Sequence, residues 1–438
     1  MCFLKMNDNV TLCDRSTVTV IGKIGEGGQG IVYRVRLDGT NQEYALKWYF
    51  YGCLDNPENF YNHLSRNIYE IGSPGAEYIW PKQLTRYFEG ETFGYIMNII
   101  PSEYRPMSKY LMTAVNFSNT KAMVNAALNI VAAIKKLHDK GYSYKDLHDE
   151  NFFIESASGK ILICDTDNVT GPNETSNIIG KPYYIAPEVV RGDQMPDKYS
   201  DRYSLAVLVF YLLIGDHPLM GKKTHVPILT NKLDQRFFGT DPLFIFDPTD
   251  NSNAPVSGLH RNARTFWKYF PSFVREFFQR AFSQTSLHNP QQRPIEQEWI
   301  HILMRLKSSI ARCPQCGEEL FVESDRRTHC YSCGCNFQAA GYLSFQSRHN
   351  IEVTVPIYKN AVIYNYHTEA SMDFHKPAGG ILQKDNRFGL VNVSNKDWIV
   401  TNTNGDTRTI PVKKVQTLRV GYKIDFGNNI VATVKANS

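Results

Sequence analysis

Long hydrophobic runs are absent from this sequence. No stretch reaches the ~18 consecutive apolar residues that a membrane-spanning helix needs, and the longest run, Leu205–Ile214, is typical of a buried helix. The N-terminal residues lack the apolar core of a signal peptide. A net charge of +5 over 438 residues is too small to indicate nucleic-acid binding. These absences predict a cytoplasmic protein that binds neither membrane nor nucleic acid.

Low-complexity tracts and internal repeats are also absent, and the 42% hydrophobic and 21% charged fractions are those of a globular protein. The length predicts two or three domains. Cysteine is scarce outside one segment, because five of the nine cysteines lie between residues 313 and 335. An odd number of cysteines clustered in this way favours a reducing compartment over a disulfide framework.

Composition changes along the chain. Strand and helix signals mix through the first long block, whereas the last block is rich in β-branched and aromatic residues and has no long helical pattern. We therefore predict an α+β protein in which a lead-in, a mixed block, a cysteine-rich block and a β-rich block occupy residues 1–14, 15–308, 309–340 and 342–438.

Glycines interrupt two strand-like segments near the N-terminus, at Gly25, Gly27 and Gly30. Glycines let a backbone approach phosphate groups closely and offer N–H donors without an obstructing Cβ. A dinucleotide site would need a helix after the glycines, but the next residues are strand-like, and a further strand carries Lys47. The pattern predicts a hairpin over phosphates with a strand lysine that pairs with them, although a plain glycine-rich hairpin has the same spacing.

A polar loop follows the apolar helical repeat at residues 124–137. Within YSYKDLHDEN, Asp146 precedes Asn151 by five residues, and Asp165 follows fourteen residues later. Carboxylate and amide oxygens are the ligands that Mg²⁺ prefers. Together with a carboxylate that orients a hydroxyl, they supply the positioning and charge neutralisation that phosphoryl transfer requires.

Residues 15–308 resemble the protein kinase family, because these motifs occur in family order. An APE triplet at residues 186–188 ends the stretch that follows Asp165, and Arg293 lies where the family pairs an arginine with the glutamate of that triplet. The resemblance implies a bilobal protein kinase fold, with an N-lobe at residues 15–100 and a C-lobe at residues 101–308.

The resemblance also implies an activity, which is transfer of the γ-phosphate of ATP to serine or threonine hydroxyls of proteins with Mg²⁺. Asp146 would accept the hydroxyl proton, Lys47 would neutralise phosphate, and Asn151 and Asp165 would bind Mg²⁺. Glu150 stands where tyrosine kinases carry arginine, which favours serine or threonine. ATP would contact Gly25, Gly27, Gly30, Val32, Ala45, Lys47, Met97, Asn98 and Ile99.

The loop departs from the family pattern on both sides of the catalytic aspartate. Tyr144 replaces a histidine, and Thr166 replaces the phenylalanine after the metal-binding aspartate. We predict that the Tyr144 ring fills the space that this phenylalanine leaves. Asp167 replaces a glycine, and it either adds charge near the metal or is a solvated or capping residue.

Compared with the family pattern, a lysine is missing at one position and present at another. His148 stands where the family has a lysine, and Lys181 stands where it has a threonine. We predict that Lys181 supplies positive charge near Asp146 and the transferring phosphoryl group. A solvent-facing lysine is the alternative.

The glutamate that should pair with Lys47 is missing from its usual helix. Residues 57–72 form the candidate helix, but the spacing of Glu58 and of Glu70 does not match the family. This gap keeps a second hypothesis open, in which the chain is a pseudokinase scaffold that binds nucleotide and partner proteins without efficient transfer.

The segment between Asp165 and the APE triplet contains three candidate phosphorylation sites, Thr170, Thr175 and Ser176. Lys145 replaces the arginine that usually binds such a phosphate. Because lysine lacks the bidentate fork of arginine, the sequence argues less strongly for control by phosphorylation.

Two CxxC knuckles, Cys313/Cys316 and Cys330/Cys333, are separated by thirteen residues. Four thiolates on two tight turns form a closed tetrahedral site that is typical of structural Zn²⁺. The segment resembles a zinc ribbon, with Cys335 as a spare donor.

The β-rich block predicts a small antiparallel β-sandwich with a tight turn at Asn404-Gly405. Its spacing resembles that of forkhead-associated domains, which bind phosphothreonine through an arginine and a serine, but no arginine is assignable to that role here. A docking or self-association module is the alternative. The whole arrangement resembles bacterial kinases encoded beside a metal-dependent phosphatase and a von Willebrand-A protein, so these are the partners that the likeness suggests.

Overall fold

The computed structural model describes residues 3–88, 92–171, 179–323, 327–369 and 371–437. Its N-terminal lobe contains the strands β1 (Asn9–Thr11), β2 (Thr17–Glu26), β3 (Gly30–Leu37), β4 (Glu43–Tyr49), β5 (Gln83–Leu84) and β6 (Gly94–Met97). They form one antiparallel sheet in the order β1-β2-β3-β4-β6-β5. Alternating buried residues on β2 and β3 face an apolar core, as a half-buried sheet requires.

The predicted lead-in at residues 1–14 is part of this lobe. Its strand β1 pairs with β2, from Asn9 opposite Thr19 to Thr11 opposite Thr17. Leu12 is fully buried in the core of the sheet. The lobe therefore begins before residue 15, because this apolar segment completes the sheet.

One helix, α1 (Pro57–Arg66), packs on the other face of the sheet through its buried Leu64. The Asn56 side chain accepts a hydrogen bond from Asn59 N and caps the helix, as expected for asparagine at this position. The helix continues into a π-helical turn, Asn67–Ile71, and ends there.

The larger lobe is mainly helical and contains α2 (Met107–Leu111), α3 (Thr120–Asp139), α4 (Pro187–Val190), α5 (Lys198–Ile214), α6 (Asn231–Gln235), α7 (Arg261–Phe266), α8 (Ser272–Ala281), α9 (Gln284–His288) and α10 (Glu296–Ser308). Short 3-10 or π turns lie at Thr166–Asn168, Arg236–Thr240, Trp267–Tyr269 and Pro290–Gln292. A small sheet of β7 (Tyr104–Pro106), β8 (Phe152–Glu155) and β9 (Ile161–Ile163) carries the loops between α3 and α4.

Helix α5 is the centre of this lobe, because nearly all of its residues are buried. Asp197 and Ser200 form a capping box at its start, and Gly215, with φ of 80°, ends it. None of the helices in the described part of the chain is both long and apolar enough to cross a membrane.

A buried ion pair closes the base of the lobe. The Arg293 guanidinium donates to both Glu188 carboxylate oxygens, at 2.7 and 2.6 Å. The pairing that the resemblance implies is therefore confirmed, and its bidentate geometry is the strong form of such a contact.

The cysteine-rich block consists of two short hairpins. One pairs β10 (Ile310–Arg312) with β11 (Glu319–Phe321), and the other pairs β12 (Thr328–His329) with β13 (Asn336–Phe337). The block packs on the helical lobe through aromatic rings, with the Phe270 and Phe321 centroids 5.1 Å apart.

The C-terminal block has two antiparallel sheets around one apolar core. Their strands are β14 (Tyr342–Phe345), β15 (Thr354–Pro356), β16 (Val362–Tyr364), β17 (Pro377–Lys384), β18 (Arg387–Asn392), β19 (Trp398–Thr401), β20 (Thr407–Ile410), β21 (Val415–Thr417), β22 (Lys423–Asp425) and β23 (Val431–Lys435). The first sheet has the order β15-β14-β23-β22-β19-β20 and the second β16-β17-β18-β21, with a one-turn helix α11 (Asn365–Thr368) after β16.

Helix α10 joins the helical lobe to the C-terminal block. Lys307 Nζ donates to Phe374 O at 2.8 Å, and the Ser308 hydroxyl lies 3.2 Å from His367 Nε2. Nearer the start of the helix, His301 Nε2 lies 2.9 Å from His349 Nδ1. The contact between the two blocks is therefore rich in buried basic side chains.

Candidate active site

The glycine-rich turn lies between β2 and β3, where Gly27 N donates to Gly30 O at 2.9 Å. At Gly30 a Cβ would lie 2.2 Å from Trp48 O, so the close approach of β3 to β4 requires glycine there. At Gly25 and Gly27 a Cβ would meet no atom within 4 Å. These two glycines therefore leave open space above the cleft.

Lys47 lies on β4 opposite Val32 and is only 8% exposed. Its ammonium lies 2.7 Å from Asp167 Oδ2 and 3.4 Å from Asp165 Oδ1. Asp167 is fully buried and also accepts a hydrogen bond from the Tyr49 hydroxyl. The residue at the family's glycine position is thus the nearer partner of the lysine, not a solvated or capping group.

Burial and charge act on this pair in opposite directions. Burial alone would lower the pKa of Lys47, but Asp167 and then Asp165 hold it well above its ordinary value. Burial would raise the pKa of Asp167, but the Lys47 ammonium holds it below its usual range. The lysine therefore remains a cation at the back of the cleft.

Helix α1 presents no carboxylate to this lysine in the described structure. Glu58 and Glu70 are both exposed, and neither pairs with Lys47. The π-helical turn that continues α1 contributes a buried amide instead, since Asn67 Nδ2 donates to Val169 O at 3.1 Å. It therefore binds the backbone of the segment that follows Asp165.

The catalytic loop, residues 142–151, is fixed by hydrogen bonds to Asp201, the first buried carboxylate of α5. Its Oδ2 accepts from Tyr144 N at 2.7 Å and its Oδ1 from Lys145 N at 2.8 Å. Charge-assisted bonds of this kind fix a backbone firmly. Behind them, His138 lies between Asp201 and Glu296, at 3.1 and 2.9 Å. Burial lowers the pKa of His138, but the two carboxylates outweigh it and raise the pKa to about 9.

Asp146 is partly exposed at the mouth of this loop. Asn151 Nδ2 donates to Asp146 O at 3.0 Å, which ties the two predicted site residues together. The imidazole of His148 lies 3.5 Å from Asp146 Oδ2. Thus the basic side chain beside the carboxylate of Asp146 is that of His148.

Lys181 forms ion pairs with the loop that carries Asp146. Its ammonium contacts Asp149 Oδ1 at 2.9 Å and Glu150 Oε2 at 3.1 Å. Two carboxylates of the loop therefore bind it, and its role as a positive charge near Asp146 and the transferring phosphoryl group stays a prediction. The alternative prediction, a lysine that faces solvent, does not hold, because the Lys181 side chain is ion-paired and only 33% exposed.

Tyr144 is fully buried, and its hydroxyl donates to Cys164 O. Its ring lies 6.5 Å, centroid to centroid, from that of Phe152. Thr166 is also buried, and its hydroxyl donates to Ile79 O at 3.2 Å. Asp165 therefore lies between Cys164, whose carbonyl accepts from the buried Tyr144, and Thr166, which is hydrogen-bonded to Ile79 of the N-lobe.

The three candidate phosphorylation sites differ in what the structure says of them. Thr170 is 3% exposed and pairs with Ser143 through two backbone hydrogen bonds, at 3.0 and 3.1 Å. In this arrangement its hydroxyl is not presented to another kinase. Thr175 and Ser176 lie outside the described residues.

The predicted adenine contacts lie at the edge where β4 meets β6. Ala45 is buried and stands opposite the buried Met97. Asn98 is exposed after the strand, and Ile99 is half-buried. Ala45 lies two residues from Lys47 on β4, so both side chains are on the same face of the sheet, and the adenine contacts stay a prediction.

Four cysteine sulfurs converge in the cysteine-rich block, from Cys313, Cys316, Cys330 and Cys333. All four Sγ atoms lie within 4.8 Å of one another, and the pairs 313/333 and 316/330 are each 3.6 Å apart. A tetrahedral Zn²⁺ with Zn–S bonds of ~2.3 Å requires sulfurs about 3.8 Å apart. The donor set therefore fits zinc.

Sequence reasoning left three parts of the site undefined. It noted Asp167 without assigning its partner, assigned no role to Tyr49, and did not place His148 beside Asp146. Only the first had a signal in the sequence, which was an acidic residue at a glycine position together with a missing helix glutamate. The other two depend on the register of β4 and on the turn of the catalytic loop.

The comparison with protein-family models gives one match. Residues 18–270, more than half of the chain, match the model described as protein kinase domain. The match begins in β2 and ends in the helical lobe, so it includes every residue of the cleft described above.

Curated relatives match over the same kind of region. Rho-associated protein kinase let-502 of Caenorhabditis briggsae is 28% identical over 228 residues, covering 49% of this chain and 18% of that protein. Serine/threonine-protein kinase AtPK1/AtPK6 of Arabidopsis thaliana is 27% identical over 225 residues, covering 50% and 46%. Protein kinase C delta type of Rattus norvegicus is 37% identical over 102 residues, covering 22% and 14%. The chain thus spans less than half the length of these relatives.

Proposed function

We propose, from the premise that this chain belongs to the protein kinase family, that it transfers the γ-phosphate of ATP to serine or threonine hydroxyls of proteins. The curated relatives named as serine/threonine-protein kinases support this choice of hydroxyl. Glu150, in place of the arginine of tyrosine kinases, supports it independently.

The residues of the cleft fit a magnesium nucleotide. Gly25 and Gly27 leave space where backbone N–H groups reach phosphates, and the buried Lys47 offers a cation. The side chain of Asp165 is 47% exposed, so its oxygens are available to a metal ion. Asn151, held against the Asp146 backbone, is the second hard-oxygen donor in the proposal.

Each residue then has a distinct task. Lys47 binds and neutralises phosphate oxygens, while Asp165 and Asn151 would hold Mg²⁺, which neutralises charge that develops on the phosphates. Asp146 orients the attacking hydroxyl and accepts its proton at a carboxylate oxygen. Asp201 fixes the backbone of the loop that carries Asp146, so the carboxylate is positioned before substrate binds.

One observation carries the proposal, which is the convergence of three distant segments on one cleft. Lys47 from β4 contacts Asp165 at 3.4 Å. Cys164 N, next to Asp165, donates to Asn151 O at 3.0 Å, and Asn151 in turn contacts Asp146. The residues that we propose to neutralise phosphate, to bind Mg²⁺ and to accept the hydroxyl proton therefore form one connected group.

Incubation of the full chain with labelled ATP and Mg²⁺ tests the proposal. We expect label on serine or threonine, and its loss in Asp165→Asn, because the carboxylate that holds the metal is gone. Asp139→Asn is the matched control, since Asp139 is exposed on α3 and pairs only with Lys135 in the described structure. Label on tyrosine, or equal labelling by Asp165→Asn, would contradict the proposal.

The pseudokinase hypothesis is the weaker one. It rests on the absence of a helix glutamate that would pair with Lys47. Asp167 supplies a carboxylate to Lys47 at 2.7 Å instead, so that argument is weakened. It predicts that nucleotide stabilises the protein without any transfer of label. The same experiment therefore separates the two hypotheses.

We infer that the four-cysteine cluster holds structural Zn²⁺. The support is the spacing of the sulfurs and the absence of an open coordination position in a Cys₄ set. Metal analysis should find about one zinc per chain, and Cys330→Ser should release it. A wild-type chain purified without zinc yet equally heat-stable would contradict the inference.

The C-terminal block is proposed as a docking or regulatory module. The likeness to forkhead-associated domains stays a prediction, and the polar residues of its motif are used internally. Asn392 Nδ2 donates to Lys396 O and Ile410 O, and the Ser394 hydroxyl donates to Asn392 Oδ1. A phosphatase and a von Willebrand-A protein as partners rest on the resemblance alone.

A further inference from the structure

We propose that Asp167 is a positioning residue for phosphoryl transfer, which holds Lys47 toward the nucleotide in place of a carboxylate on helix α1. The inference deepens the proposed function and rests on it. The observation behind it is the juxtaposition of a buried lysine and a buried aspartate at a sequence position where the family has glycine.

The contact geometry ranks Asp167 above Asp165 as the partner of Lys47. The Nζ–Oδ2 distance to Asp167 is 2.7 Å, against 3.4 Å to Asp165 Oδ1. The Asp167 side chain is wholly shielded from solvent, whereas that of Asp165 is 47% exposed. Asp165 is therefore left for a metal ion, while Asp167 is committed to the lysine.

A second donor holds the aspartate in place. The Tyr49 hydroxyl donates to the same oxygen, Asp167 Oδ2, and Tyr49 is itself buried among Phe60, Phe93 and Tyr95. Asp167 Oδ1 has no hydrogen-bond partner among the described residues. A buried carboxylate in such a place depends on its cation, because an unpaired charge is costly to bury.

Helix α1 does not offer the alternative. Glu58 on α1 and Glu70 on the π-helical turn that follows it are both exposed, and the groups that reach the segment after Asp165 are Asn67 and the half-buried His63. Both contact the backbone around Asp167 and Val169. The helix therefore acts on the segment that carries Asp167 and does not act on the lysine directly.

The carboxylate that pairs with Lys47 and the candidate metal ligand lie on the same segment, whereas the family pattern places the first of them on a helix of the N-lobe. The carboxylate for Lys47 lies two residues after the metal-ligand candidate Asp165, on a segment anchored at Thr166 to Ile79 O and at Thr170 to Ser143. The position of the Lys47 ammonium therefore depends on where this segment places Asp167. Rotation of α1 away from the cleft would not by itself break the ion pair.

A double-mutant cycle in the full-length chain tests the proposal, with Mg-ATP affinity by calorimetry and steady-state KM and kcat as readouts. Asp167→Asn keeps the shape of the side chain and removes its charge, and we expect it to weaken Mg-ATP binding and raise KM by about tenfold. In a Lys47→Met background, the same change should alter affinity by less than about twofold, because Asp167 acts through the lysine.

Two further variants serve as comparisons outside the cycle. Glu70→Gln removes the same charge from an exposed position and should change affinity by less than about twofold. Tyr49→Phe removes only the second donor and should weaken binding in the same direction by a smaller factor. Thermal unfolding without nucleotide reports the pair itself. Lys47→Met should lower Tm, and adding Asp167→Asn should recover part of that loss.

The results separate failure of this inference from failure of the proposed function. If wild-type protein binds Mg-ATP and Asp167→Asn binds it equally well, Asp167 does not position Lys47. If Asp167→Asn weakens binding by the same factor with and without Lys47, the aspartate acts by another route and the inference is overturned. If the wild-type chain binds no Mg-ATP, the proposed function itself fails, and this inference fails with it.

Discussion

Two lysines are almost fully buried in the described part of the chain, and their surroundings give them opposite properties. Lys47 lies in the cleft beside Asp167 and Asp165, which hold its pKa well above the ordinary value. Lys307 lies on α10 against the C-terminal block, where burial, with Lys121 nearby, lowers its pKa to about 7. Burial is similar at the two sites, so the neighbouring charge decides the outcome.

The contacts of Lys307 explain its lowered pKa. It donates to the neutral carbonyl of Phe374, lies 3.5 Å from His375 Nδ1, and stands over the Tyr364 ring at 4.3 Å. A carbonyl and a ring stabilise an ammonium less than a carboxylate does. The cleft is thus built to keep its charge, whereas the contact between the blocks responds to pH.

The largest expected effect breaks the cleft side of this comparison. Lys47→Met removes the ammonium that we propose to neutralise phosphate, and it leaves Asp167 buried without its partner. We expect kcat/KM for ATP to fall by at least about 10²-fold and the free energy of unfolding to fall by about 3–5 kcal/mol. Steady-state kinetics and urea unfolding measure the two effects. A variant as stable as the parent would show that the pair does not stabilise the cleft.

The next effect concerns the histidines at the block contact. Burial lowers the pKa of His367 to about 3, whereas an unfolded histidine titrates near 6.5. The unfolded chain therefore binds more protons between these values, so stability is present above pH 6.5 and is lost as the pH falls. We expect a loss of about 2–3 kcal/mol between pH 6.5 and 4.

Comparison of wild type with His367→Asn in urea titrations at several pH values isolates this effect. The variant should lose less stability over the same range, although His301 and His375, with pKa values of about 4, still titrate. Equal slopes in the two proteins would exclude His367 as a source of acid sensitivity.

Lys307 should give a somewhat smaller effect at alkaline pH. Its pKa is about 7 in the folded chain and near 10.5 when unfolded, so the unfolded chain binds more protons between these values. Stability should therefore rise by about 2 kcal/mol from pH 7 to 9 in wild type relative to Lys307→Met. His138, with a pKa of about 9, acts in the opposite sense in both proteins and cancels in the difference. A difference that stays constant with pH would refute the assignment.

The smallest effect comes from an exposed pair and sets the baseline. Lys135 contacts Asp139 at 2.6 Å, one turn apart on α3, with the aspartate 62% exposed. Solvent screens such a pair, so Lys135→Ala should cost no more than about 0.5 kcal/mol. Urea unfolding at pH 7 measures it. A cost near that of Lys47→Met would mean that burial does not distinguish the two pairs.

Local sequence signals sufficed for much of the site. The spacing from Asp146 to Asn151 and Asp165 reflects one loop and the hairpin of β8 and β9, so these residues come together as predicted. The pairing of Arg293 with Glu188 was equally readable, because both positions belong to motifs of the family. The tight spacing of the CxxC knuckles likewise carried enough information to predict that four cysteine sulfurs converge.

Contacts between distant segments were not readable in this way. The partner of Lys47 depends on how the segment after Asp165 packs under β4, and no local pattern encodes that register. The ion pairs of Lys181 with Asp149 and Glu150 depend in the same way on the turn of the loop that carries Asp146. The sequence alone does not assign the lead-in to the N-lobe, because a strand of three residues is too short to recognise without its partner β2.

Parallel measurement of nucleotide binding and phosphoryl transfer by wild type and Asp146→Asn tests the central claim most directly. Calorimetry gives the affinity for Mg-ATP, and labelled ATP gives the rate of transfer to protein hydroxyls. The account predicts similar affinities and a rate at least about 10²-fold lower in the variant, because Asp146 acts on the hydroxyl and not on the nucleotide. Equal transfer rates, or a wild-type chain that binds Mg-ATP and transfers nothing, would contradict it.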